Sequence, residues 1–192
     1  VKILFSYLLT LLCLCCFSQQ RSFDVVLLGK NIGQTSIVKK QDEKGFVTYN
    51  LRSNTSVSVM FQEKTSSMSF DVKYYGGKLF SALCKVVNNG SQVITEITKE
   101  AEGYIIKKEN ELLKIAEAIT FSSMELYFTE PINEKRVFSE RLGEFVAFEK
   151  TAPGEYVNRL KDVTNIYRYR NGTLYEVEIR KPLGSVYLKA RN

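Results

Sequence analysis

The chain has no histidine and no tryptophan, and only 3 prolines in 192 residues. Without histidine there is no Ser-His-Asp or Cys-His arrangement, no His-rich metal site and no ordinary general base near neutral pH. Cysteine is scarce where it would count. Of 4 cysteines, Cys13, Cys15 and Cys16 fall at the very start and only Cys84 lies beyond them. That excludes an all-cysteine zinc site and any disulfide within the rest of the chain. Enzyme chemistry would have to rest on carboxylates, tyrosines or lysines. The chain therefore reads as non-enzymatic, with no metal and no cofactor expected.

Aromatic residues are abundant, with 12 Phe and 11 Tyr. Together with many Val, Ile and Thr in alternation, they lean the composition towards β structure. Residues 1–18 read as a secretory signal peptide: Lys2, an apolar run from Ile3 to Phe17, and Cys16-Phe17-Ser18 as a small–x–small cleavage site. Acylation at Cys16 is the alternative, although Cys15 stands where a small residue is expected. The remainder, 19–192, carries no linker, charge block or low-complexity segment and reads as a single antiparallel β domain. It is expected to be exported, to the periplasm or outer membrane of a Gram-negative bacterium, without a membrane span after the leader.

The hairpin Asn165–Arg180 shows the construction. Residues alternate on both sides of Asn171-Gly172. A three-residue loop, Arg170-Asn171-Gly172, would pair Tyr169 with Thr173 and Tyr167 with Tyr175. Tyr167, Tyr169, Tyr175, Val177 and Ile179 would then share an apolar face, and Arg168, Arg170 and Arg180 would lie beside Glu176 and Glu178 on the other. Aligning Gly77 with Gly172 gives the same loop for residues 68–87 and an apolar face of Met68, Phe70, Val72, Phe80, Ala82, Cys84 and Val86. Asn89-Gly90 fits a two-residue turn pairing Val86 with Val93 and Cys84 with Thr95.

Further strands are expected at 23–29, 32–38, 46–52 and 55–65, at 103–108 and 111–115, and at 136–140, 144–150, 155–160 and 185–190. Leu112, Leu113, Ile115, Ala116 and Ile119 also fit an amphipathic helix, with strand preferred. Ser122-Ser123 reads as the N-cap of a short helix near 122–128. The fold class is all-β: an antiparallel meander of about a dozen strands, curled into a barrel or half-barrel to manage its edges.

The segments Phe23-Asp-Val-Val-Leu-Leu-Gly-Lys-Asn-Ile-Gly, Leu126-Tyr-Phe-Thr-Glu-Pro, Val137-Phe-Ser-Glu-Arg-Leu-Gly-Glu and Asn165-Ile-Tyr-Arg-Tyr-Arg-Asn-Gly resemble a family of small secreted proteins of Gram-negative bacteria, defined only as a domain of unknown function. The resemblance implies a curved antiparallel sheet and transfers no catalytic residues. More distantly, the chain resembles half-barrel envelope proteins that carry lipids or lipoproteins, an analogy of fold and not of function.

The candidate ligand-binding residues are Tyr167, Tyr169 and Tyr175, whose rings are apolar with a polar tip, and Ser139, Glu140 and Arg141, a polar cluster able to clamp a head group. The plain alternatives are core packing for the tyrosines, and a strand end with an ion pair and a positive-φ Gly143 for the cluster. Among Glu125, Glu130, Glu140, Glu144 and Glu149, sequence spacing establishes no acid/base pair of fixed separation. Cys84 is expected to be a buried, inert thiol. The expected partner is an apolar small molecule or lipid, held without chemistry. The alternative is a structural or interaction protein engaging an envelope protein or anionic polymer. Nucleic acid is not expected, since no recognition motif accompanies the scattered basic residues.

Overall fold

A computed structural model describes residues 18–59, 61–182 and 184–191, with the side chain of Val59 left out. The expected leader lies outside the described residues, except for Ser18, which opens the first strand. Strands β1 (Ser18–Leu27), β2 (Lys30–Gln41), β3 (Phe46–Val59), β4 (Gln62–Tyr75), β5 (Lys78–Asn88), β6 (Ser91–Glu100), β7 (Gly103–Lys108) and β8 (Glu111–Ile115) follow one another as hairpins. After them come a short pair, β9 (Arg136–Ser139) and β10 (Glu144–Ala147), and then β11 (Glu149–Ala152), β12 (Glu155–Leu160), β13 (Val163–Arg170), β14 (Thr173–Lys181) and β15 (Gly184–Ala190). Among the described residues, thirteen strands form one antiparallel sheet in the order β11-β12-β13-β14-β15-β1-β2-β3-β4-β5-β6-β7-β8, and β9 and β10 form their own pair.

The expected all-β meander is present, with one long-range seam. β15 pairs with β1, Phe23 opposite Ala190, so the two ends of the chain meet in the middle of the sheet. The free edges are β8 and β11, and residues 116–148 connect them. This segment lies on the concave side. Its backbone bonds the sheet where the Leu79 N–H donates to the Ile119 carbonyl, and its two arms bond each other where the Ser123 N–H donates to the Phe138 carbonyl and the Phe138 N–H to the Phe121 carbonyl. Ile119, Met124, Leu126, Val137 and Phe138 belong to the same buried core as Tyr49, Tyr74, Ile97, Tyr156 and Tyr169 of the wall. The segment is a plug.

The expected three-residue hairpin loops are not formed. Asn171 and Gly172 (φ 51° and 73°) and Gly76 and Gly77 (φ 57° and 71°) make two-residue turns, the geometry that suits the right-handed strand twist. Tyr169 thus pairs with Leu174 and Tyr74 with Leu79, and the register slips just beyond, so that Tyr167 faces Val177 and Val72 faces Ala82. The extra residue is absorbed as a bulge in the strand, not in the loop. Leu174 and Leu79 turn inward against the plug, while Tyr175 and Phe80 are left on the outside, 37% and 43% exposed. Both were expected on the inner face. The two hairpins do correspond residue for residue: Tyr74 matches Tyr169, Leu79 matches Leu174 and Phe80 matches Tyr175.

The outer face of β13 and β14 carries the expected charge pairing. Arg168 reaches Glu155, Glu176 and Glu178 at 2.6–3.1 Å, and Arg180 reaches Glu178 at 2.7 Å. The Asn89-Gly90 turn has the expected register, and residues 111–115 form a strand, not a helix. Residues 46–52 and 55–65 are not separate strands. β3 runs unbroken from Phe46 to Val59, and residues 62–65 belong to β4. Ser56–Val59 and Gln62–Thr65 extend past the last pairs with β2 and β5 as a finger, with Phe61 fully exposed at its tip.

Gly33 is the tightest point of the sheet. A Cβ there would lie 2.0 Å from the Asn54 carbonyl oxygen, a contact with backbone that cannot step aside. Gly33→Ala is expected to lower unfolding free energy in urea by on the order of 3 kcal/mol or more. Gly29→Ala meets open space at φ +77° and should cost only about 1 kcal/mol. Equal losses for the two would refute this account of the β2–β3 approach.

Candidate functional site

The inward-facing positions change character along each strand. At the end closed by the plug they are large: Ile37, Tyr49, Tyr74, Leu79 and Tyr169 are all buried. Towards the other end the same faces carry Thr35 and Gly33 on β2, Ser53 and Thr55 on β3, Ser66 on β4, and Asn165 on β13. Small side chains there leave the interior unfilled. The result is a cavity of about 460 Å³ that extends from the plug to Thr55, Ser66, Asn88, Leu160 and Val163, within the ~300–1,000 Å³ typical of small-molecule sites.

Its walls are mainly apolar, including Leu51, Phe70, Val86, Val177 and Leu188, and its floor is Met124, Leu126 and Tyr127 of the plug. Polar groups enter at fixed points. Thr35 and Ser53 hydroxyls bond each other at 2.8 Å, and Asn165 Nδ2 donates to Asn158 Oδ1 at 2.8 Å. No Asp or Glu is among the described lining residues, whereas Arg141 and Lys181 both border the cavity.

The candidate residues divide. Ser139, Arg141 and Tyr167 line the cavity. Tyr167 is half-buried, and burial pushes its hydroxyl up to about 12. Tyr169 does not line it. It is buried, and its hydroxyl donates to the Leu126 carbonyl at 2.7 Å, fastening the wall to the plug. Tyr175 lies outside, its ring under the Arg170 guanidinium at 5.0 Å. Glu140 is fully buried and turned into the plug, and among the described residues it makes no ion pair with Arg141. Gly143, in the same turn, has the expected positive φ of 75°.

Glu140 explains why the expected N-cap does not form. The Ser122 and Ser123 hydroxyls both donate to its carboxylate, as does the Met124 N–H at 3.3 Å. The helix shrinks to a 3-10 turn, Glu125–Tyr127, whose cap residue Met124 makes no side-chain bond. Half of a capping box survives, with the Ser122 N–H donating to Glu125 Oε2 at 3.1 Å. Burial raises Glu140 above the usual carboxylate range despite these donors. Burial first, and the nearby Glu140 charge as well, push Glu125 up to about 7, while Lys39 opposes the shift. Burial also raises the Cys84 thiol on the inner face of β5. Among the described residues no group of three His, Cys, Asp or Glu gathers as metal ligands, and no helix is long and apolar enough to cross a membrane.

The family model of DUF6134, a domain of unknown function, matches residues 23–191. The chain belongs to this family. No curated protein matches it. Among solved structures it is similar to a β-barrel-like protein of the domain of unknown function DUF1849 from Brucella abortus, at 12% identity and a TM-score of 0.59, over 94% of this chain and 98% of that one. At that identity the likeness concerns the fold alone, a barrel-like curl of antiparallel strands.

Lys181, Thr35, Ser53, Asn158 and Asn165 were not singled out from the sequence. The available signal was the run of small or polar residues at inward positions near one end of successive strands.

Two predictions arise from the plug. Tyr169→Phe leaves the Leu126 carbonyl without its buried donor and should cost about 1–3 kcal/mol. Tyr175→Phe should change stability by less than about 0.5 kcal/mol in the same urea titration. Glu125 has a folded pKa of about 7 against an ordinary 4.5, so the folded state holds its proton more tightly. Its contribution is fully present below about 4.5 and is lost as pH rises through about 7, by at most about 3 kcal/mol. Glu178, held down to about 2 chiefly by Arg180, acts oppositely and loses its contribution as pH falls below 4.5. The unfolding free energy measured across pH 2–8 should therefore decline from pH 4.5 to 7, a decline that Glu125→Gln flattens.

Proposed function

We propose that this chain is a non-catalytic binding protein of the bacterial envelope that holds a lipid-like or apolar small molecule inside its curled sheet. The observation that carries the reading is the unfilled cavity: apolar walls, a floor made by the plug, and a few placed polar groups. Its apolar lining suits an alkyl or ring system, whose transfer from water is favourable by roughly 25 cal/mol per Å² buried. A binding role without chemistry is supported by the absence of histidine and by the burial of Glu140, whose oxygens are occupied by Ser122, Ser123 and Met124. The envelope setting is supported by the leader expected at residues 1–18.

A second reading, an interaction protein of the envelope, is favoured by one feature. Phe61 stands fully exposed at the tip of the β3–β4 finger, where a partner protein or an anionic polymer beside Lys64 would find it.

Native mass spectrometry of the protein exported from a Gram-negative host is expected to show an added mass that denaturation releases as a lipid or apolar metabolite. Val186→Phe, which projects a ring into the cavity, should weaken uptake of a hydrophobic fluorescent probe at least tenfold with an unchanged far-UV spectrum. A bare mass together with no probe uptake by the wild type would overturn the binding reading and turn attention to Phe61.

A further inference from the structure

Resting on the binding reading above, we propose that the ligand is an amphiphile with a single anionic head group, of the long-chain carboxylate kind. Arg141 and Lys181 hold the head at the rim, and the apolar wall takes the chain. The two cations border the cavity and are also solvent-exposed, which places them where it opens. What sets them apart is their place on a cavity lined by no described acidic residue, not their lack of a partner, since among the described residues Arg21, Arg170 and the other lysines also form no salt bridge.

Arg141 is also positioned. It sits in the turn between β9 and β10, where its carbonyl accepts from the Thr95 hydroxyl at 2.9 Å. That bond ties the turn to the inner face of β6 and leaves the guanidinium free. Ser139 and Asn165 share the lining with them. A carboxylate at this rim would gain charge-assisted hydrogen bonds while remaining partly solvated, so it escapes the full cost of burying an ion. A neutral ligand would gain no such charge-assisted bond there.

The test compares palmitate, methyl palmitate and inorganic phosphate as competitors of a bound fluorescent probe, at low salt, on the wild type and on the Arg141→Gln, Lys181→Gln double variant. Palmitate is expected to bind at least tenfold tighter than its methyl ester, with that ratio falling to about one in the double variant. Equal binding of acid and ester by the wild type would overturn the anionic head group and leave the binding function standing. Failure of both to displace a bound probe would overturn the long-chain ligand alone, whereas a wild type that takes up no probe at all would count against the binding function itself. Phosphate competing as well as palmitate would show an anion site without a chain, and a preference surviving in the double variant would remove these two residues from the site. Either result overturns the inference.

Discussion

A carboxylate buried without a cation must be surrounded by donors, and Glu140 is the point on which the interior depends. Its solvation by the Ser122 and Ser123 hydroxyls and the Met124 N–H joins the turn after β9 to the segment ahead of the 3-10 turn. The two arms of the plug become one body. The Tyr169 hydroxyl then fastens this body to β13 through Leu126, and Tyr156 reaches Glu130 at 2.9 Å. Tyr169, which looks like a ligand contact in the sequence, serves as a strut, because a phenol can pack its ring in the core and still satisfy a stray polar atom.

Plugging one end has two consequences. The sheet need not close by pairing its edges, because the connection between β8 and β11 crosses the concave side and packs against both flanks: Thr95 of β6 holds the Arg141 carbonyl, while Phe148 stacks on Tyr156 of β12. The other end also need not be filled. There the inner face falls away to Gly33, Ser53, Thr55 and Ser66, and a cavity remains. Aromatic bulk and small polar residues divide the interior between core and site.

Much of the fold was legible in the sequence, since period-two alternation and Gly-containing turns are local signals. The registers about Asn89-Gly90 and the charged outer face of β13–β14 were read correctly from neighbours alone. Tyr175 and Phe80 were misplaced for a definite reason. An extra residue in a hairpin can be absorbed in the loop or in the strand, and both choices leave the same distant residues facing inward. Only the packing of Leu174 and Leu79 on the plug decides between them. Likewise, Ser139-Glu140-Arg141 was recognisable as a placed polar cluster, but its members part ways: Glu140 points into the core, Ser139 and Arg141 into the cavity.

By itself the sequence determined the class of structure and the place of most strands, since alternation and turn propensity need no knowledge of distant contacts. The tertiary structure alone decided the β1–β15 seam, the passage of residues 116–148 through the interior, and the meeting of Arg141, Lys181 and Tyr167 around one cavity. Each of those joins residues tens of positions or more apart, and burial and shape become fixed only when the sheet curls.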